Sequence, residues 1–194
     1  VAVVLFAFML LHQTDKLLLG PLATEIMNTF HIGEDLMGLA STAALLVGLF
    51  LYPMWGYLAD RFARPALIAL ASFIWGATTW LSAIAPTYPL FLITRASTGI
   101  DDNAYPGLYS LISDYFGPAL RSRIYGFLQM TGPVGYLMGV GLALGLKDLI
   151  GWRAIYLITG ALGVLMAFVI WRTVREVPRG RSEPELAALA EVPA

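Results

Sequence analysis

Two apolar runs, LMGLASTAALLVGLFLYPMW at 36–55 and ALIALASFIWGATTWLSAIA at 66–85, flank the short polar segment GYLADRFARP. About 20 consecutive apolar residues is the length an α-helix needs to cross the hydrocarbon core of a bilayer. A helix that is apolar all round has no face to offer water, so it belongs inside a large core or in lipid. The composition decides for lipid: 58% of residues are hydrophobic and 13% charged, where a soluble domain carries about a quarter charged residues. The expectation is an all-α integral membrane protein.

Six spans fit the chain: 1–30, bent near Gly20 and Pro21; 36–59; 65–85, with Pro65 in its first turn; 88–116, with Pro106 inside it; 123–146; and 152–171. The reading makes 1–171 a six-helix transmembrane bundle and 172–194 a polar linker, rich in Pro and Glu, that resembles a central loop cut short. Six spans also accommodate two inverted three-helix repeats. The turn after span two carries Asp60 and Arg64, that after span five Asp148 and Arg153, on opposite sides as inversion requires. Eight of the 12 basic residues follow spans two, four and six: Arg61, Arg64, Arg121, Arg123, Arg172, Arg175, Arg179 and Arg181. By the positive-inside rule that side is cytoplasmic, with both chain ends there, in a plasma (inner) membrane.

The chain starts at Val1 inside the apolar run VAVVLFAFMLL, without the basic region and small-residue cleavage site of a signal peptide. The expectation is a start within or just before a first span. With no cysteine, disulfides, Cys-ligated metal and a thiol nucleophile are excluded. No His/Cys cluster suggests a metal, no phosphate-cradling loop an ATPase, and nothing calls for a cofactor. The net charge of −1 gives nucleic acid no reason to bind.

Charges inside the spans carry the functional signal. An ionisable group at the centre of a membrane helix costs at least ~2.5–3.5 kcal/mol, so it should face a cavity or a partner. Span one holds the adjacent Asp15 and Lys16; span four holds Arg95, Asp101 and Asp102 in RASTGIDDNAYPGLYSLISDYF. On a continuous helix Arg95, Gly99 and Asp102 share a face, and Asp101 points about 100° away. His12, one turn before Lys16, reads as a packed residue. Glu25, near the far end of span one, reads as solvated, and Asp114 as a structural partner of Arg121, Arg123 or the Arg61/Arg64 turn. Asp60 at a helix C-terminus opposes the helix dipole and needs a basic partner or a neighbouring helix N-terminus, while Gly56 one turn earlier admits a neighbouring backbone. In span five, Gly132, Pro133, Gly135 and Gly139 form a small-residue packing face with a flexible point at the proline, and Gly141 and Gly145 form a second pair.

The stretch Gly56, Asp60, Arg61, Arg64 resembles the G-x-x-x-D-R-x-G-R-R signature between spans two and three of the major facilitator superfamily, with Ala63 and Pro65 replacing a glycine and a basic residue. The resemblance implies the N-terminal half of a twelve-span transporter whose missing C-terminal six-helix half completes it. It also makes Gly56, Asp60, Arg61 and Arg64, with Asp114, a cytoplasmic gate latch. More narrowly, TDK in span one, RASTGIDDNAY in span four and GPVGYLMG in span five resemble Spinster-like lipid and sphingolipid transporters. Lys16 replaces an arginine of that pattern, Asp101 a glycine, Asp102 a glutamate and Asn103 an alanine. That resemblance implies that Arg95 and Lys16 engage an anionic head group and that Asp15, Asp101 and Asp102 couple protons. The expected activity is therefore secondary transport of a small organic solute, anionic or amphiphilic and lipid-like, by proton-coupled alternating access, without enzymatic chemistry. Two rivals are a rhomboid-like intramembrane protease and a non-transporting membrane scaffold. The protease needs an activated Ser facing a His, and both histidines, His12 and His31, lie in or beside span one.

Overall fold

The computed structural model describes residues 1–101 and 104–182. Its helices are α1 (Ala2–Leu17), α2 (Ala23–Phe30), α3 (Glu34–Arg61), α4 (Arg64–Ile84), α5 (Tyr88–Ser97), α6 (Tyr105–Tyr115), α7 (Pro118–Gln129) and α8 (Thr131–Thr173), with a 3-10 turn at Thr98–Ile100. No strand occurs among the described residues.

The interruptions follow local chemistry. Span one breaks between α1 and α2 at Gly20 and Pro21. Pro65 sits in the first turn of α4, where a missing N–H costs nothing. Span four is not one helix: α5 tightens into the 3-10 turn, and α6 restarts with Pro106 in its first turn. Pro133 has no N–H to donate to the carbonyl four residues back, and the helix of span five is interrupted near there, between α7 and α8.

Glu34–Arg61, Arg64–Ile84 and the 56-residue stretch Pro118–Thr173 are long and apolar enough to cross a membrane. The last folds back once, because Gly151 leaves the helix at φ 77°, ψ 160°. That is left-handed territory, which a residue without Cβ occupies at little cost. Spans five and six are thus the two arms of α8, with α7 leading into the first.

Glycines set the close crossings. A Cβ at Gly135 would lie 2.9 Å from Gln13 Cβ, and one at Gly139 2.9 Å from the Thr14 carbonyl, so span five packs backbone-close on span one. Gly99 of span four approaches Ala44 and Gly48 of span two in the same way. Gly76 of span three meets Gly160 of span six, with Gly163 beside it. Exchanging spans one, two and three with four, five and six maps this pattern onto itself, as an inverted repeat requires. The ends obey the same exchange. Arg64, opening span three, bonds the Val177 carbonyl beyond span six; Arg153, near the start of span six, bonds the carbonyls of Ala83 and Ala85 at the end of span three. By contrast, a Cβ at Gly132, Gly141 or Gly145 would meet nothing within 4 Å, so these three glycines face away from the bundle.

The interior has three layers. Leu5, Phe8, Ile68, Leu111, Leu128 and Ile170 form an apolar core at the Arg64 end. Leu18, Leu22, Ile26, Phe91, Trp152 and Ile155 form another at the Arg153 end. Between them lie buried polar groups, among them His12, Asp15, Thr79, Arg95, Asp101 and Thr159.

Candidate functional site

A cavity of about 600 Å³ opens between spans one, two, four and five, lined mostly by apolar side chains such as Leu17, Leu19, Leu45, Tyr136 and Val140. Its two cations are Lys16 and Arg95. Lys16 is exposed at the end of α1; Arg95 is 4% exposed, in the last turn of α5. The Arg95 guanidinium lies over the Tyr156 ring, 5.4 Å from its centroid. Its Nε and Nη1 are buried without a hydrogen-bond partner among the described residues, as is the Tyr156 hydroxyl. A buried cation lacking a counter-ion leaves a local positive potential that an incoming anion relieves.

Asp15 lies next to Lys16 in sequence but not in the cavity. Its side chain turns into the bundle, where its carboxylate accepts from Trp75 Nε1 and Thr79 Oγ1, each at 3.0 Å, and from Thr159 Oγ1 at 2.5 Å. It ties span one to spans three and six. Asp101 also points inward, because the helical-wheel argument fails once α5 gives way to the 3-10 turn. Its Oδ2 lies 2.8 Å from His12 Nε2, and His12 Nδ1 lies 2.6 Å from the Tyr105 hydroxyl. His12 is therefore packed, as expected, but packed between polar partners. Its signal in the sequence was a titratable side chain on the strip of α1 that also carries Lys16. Asp102 lies outside the described residues. Gly99 serves the crossing with span two. Glu25, expected to be solvated, is 3.3 Å from Lys147.

At the other end, Arg64 is the anchored member of the gate segment. It is 1% exposed and pairs with Asp114; its Nε donates to Glu176 at 2.9 Å and its Nη1 to Ser110 at 3.0 Å. Asp114 also accepts from the Gly180 N–H at 2.8 Å. Residues 176–180, after span six, are thereby tied across this end of the bundle. Asp60 is exposed, 3.9 Å from Arg179, and Arg61 stacks over its own Tyr57 at 4.5 Å. The expectation that Gly56 admits a neighbouring backbone is not met among the described residues: a Cβ there would have no atom within 4 Å. Gly56, Asp60 and Arg61 face outward from this half. Pro133 is exposed, whereas Gly135 and Gly139 are buried against span one.

An all-α membrane bundle with inverted repeats, a span interrupted among buried charges and a cavity beside it is the architecture on which secondary transporters are built. The model of the Major Facilitator Superfamily matches residues 4–193, and the chain belongs to that superfamily. It is 32% identical over 187 residues to Protein spinster homolog 1 of Rattus norvegicus, covering 94% of this chain and 35% of that protein. To Protein spinster of Drosophila melanogaster it is 30% identical over 178 residues, covering 90% of this chain and 29% of that one. It spans about a third of these relatives. A bacterial homologue of the human lysosomal transporter Spinster, inward-facing and occupied, superposes with a TM-score of 0.85 at 28% identity, over 96% of this chain and 47% of that one. A proton:xylose symporter shares the fold, with a TM-score of 0.77 at 20% identity, over 97% of this chain and 48% of that one. The superfamily is one of transporters, which supports transport over the protease reading. The chain is Spinster-like and corresponds to the N-terminal half of the fold.

Proposed function

We propose that this chain is the substrate-handling half of a secondary transporter that moves an amphiphilic organic anion by alternating access. The observation that carries the reading is Arg95, a buried guanidinium with two nitrogens unpartnered among the described residues, beside a largely apolar cavity that also holds Lys16. Cations at one place with an apolar wall around them match an anionic head and a hydrocarbon body. The chemistry agrees with, and does not depend on, the lipid carriers that the Spinster-like sequence pattern resembles. In the complete protein a C-terminal six-helix half closes the cavity from the other side. Asp60 and Arg61, exposed here, and the half-buried Gly56 meet that half when the inner gate shuts, while Arg64 and Asp114 hold the turn that presents them. Protons supply the drive. The Arg-rich end faces the cytoplasm of a plasma (inner) membrane, with both chain ends there.

Calorimetry in detergent tests the anion site with two probes of equal chain length, decyl sulfonate and decyltrimethylammonium. The sulfonate saturates and the cation does not. Arg95→Gln weakens the sulfonate at least about tenfold, the scale on which a charged hydrogen-bonding partner is lost. Equal binding of both probes, or an unchanged Arg95→Gln variant, rejects the reading.

A further inference from the structure

We propose that His12, held between Asp101 and Tyr105, is the group that carries the coupled proton. The inference rests on the anion reading above and adds a residue to it. His12 is 3% exposed, with Phe8 stacked at 5.9 Å and Trp75 edge-on at 5.3 Å between ring centroids. Asp101 follows the 3-10 turn and Tyr105 opens α6, so the imidazole links span one to both helical parts of span four.

The geometry suits two protonation states without moving a heavy atom. In the neutral ring Nε2–H donates to the Asp101 carboxylate, and the Tyr105 O–H donates to Nδ1. A proton added at Nδ1 gives an imidazolium: Nε2–H still donates to Asp101, and Nδ1–H now donates to the Tyr105 oxygen. A hydroxyl serves as donor or acceptor, so both ring nitrogens are bonded in either state. The His12–Asp101 pair passes from net −1 to neutral. Imidazole is the side chain whose ordinary protonation range spans physiological pH. Among the described residues the charged or titratable groups facing it are Asp101 and Tyr105 from span four; α4 presents Trp75. On α1 itself Asp15 and Lys16 follow within about a turn, and Asp102, next to Asp101 in sequence, lies outside the described residues.

Lys16 is one turn further along α1, and Arg95 is six residues before Asp101 on span four. Removing a negative charge from the His12 pair therefore raises the potential at both cavity cations in a medium that screens poorly. An anion binds better once the proton is on, and loss of the proton favours its release. Proton and anion then travel together, as in symport.

Decyl sulfonate keeps its charge at every pH used, so its affinity reports the protein alone. The full chain is expected to bind it about tenfold more tightly at pH 6 than at pH 8, a typical coupling between sites. His12→Gln should bind it with the same affinity at both. A pH dependence that survives in His12→Gln, or none in the unaltered chain, overturns the proposal and leaves the anion site standing. Absence of sulfonate binding at every pH overturns the anion reading instead. The proton assignment is then decided by nitrogen NMR of His12 in a His31→Asn background, a readout that also serves if His12→Gln does not fold. Ring nitrogens that change protonation between pH 5 and 9, with a midpoint displaced by Asp101→Asn, support the assignment; a ring fixed in one state overturns it.

Discussion

Arg64 and Arg95 are both buried guanidinium groups, and their surroundings give them opposite roles. Arg64 is met by Asp114, Glu176, Ser110 and the Val177 carbonyl, so its charge is spent on holding the structure. Among the described residues Arg95 keeps two nitrogens unpartnered beside a cavity. Removing one side of a buried pair costs about 3–5 kcal/mol, because the other charge is left stranded. Arg64→Gln should therefore lower the unfolding free energy in a denaturing-detergent titration by about that much, for want of a partner for Asp114. Asp60→Asn, at an exposed carboxylate 3.9 Å from Arg179, should change it by no more than about 0.5 kcal/mol. Both acids were readable as gate-segment candidates. Which one is anchored depends on burial, and sequence neighbours do not report burial.

The helices divide their glycines between contact and open space. Gly139 touches the backbone of α1, and Gly145, six residues on, touches nothing within 4 Å of a Cβ position. Overpacking a filled interface costs about 1–3 kcal/mol. Gly139→Val is expected to fall in that range, and Gly145→Val to lie near zero, in the same detergent titration. Small-xxx-small spacing marked both Gly135/Gly139 and Gly141/Gly145. Spacing identifies a narrow strip on a helix, but the neighbour that occupies it comes from elsewhere in the chain. Span four shows the same limit in another form. Its composition announced buried charge, yet the face assigned to Asp101 assumed an unbroken helix. The 3-10 turn at Thr98–Ile100 redirects it to His12.

For the whole bundle, the two arginine clasps sit at opposite ends of α4, a 21-residue helix about 30 Å long. Arg153→Gln leaves the carbonyls of Ala83 and Ala85 without their donor, an effect of about 1–3 kcal/mol. With no shared partner, the losses from Arg64→Gln and Arg153→Gln should add to within about 0.5 kcal/mol in the double variant. A larger discrepancy measured in that cycle would mean that the ends communicate through the polar layer between the two apolar cores. The inverted exchange of contacts is a property of this scale: it relates Gly99 on span two to Gly135 and Gly139 on span one, where the paired turns at Asp60/Arg64 and Asp148/Arg153 showed only the inversion of the ends.

From the residues alone came the membrane, the helices, their approximate ends and the presence of charge at mid-depth. These follow from segment length, proline chemistry and the cost of ions in hydrocarbon, all of which act within one stretch of chain. Only the folded arrangement distinguished Asp15, satisfied by Trp75, Thr79 and Thr159, from Arg95, left waiting. It also turned His12 from a packed ring into the partner of Asp101 and Tyr105. Whether a buried charge binds, couples or merely braces depends on what other spans bring within about 3 Å of it, and that distance is set by packing.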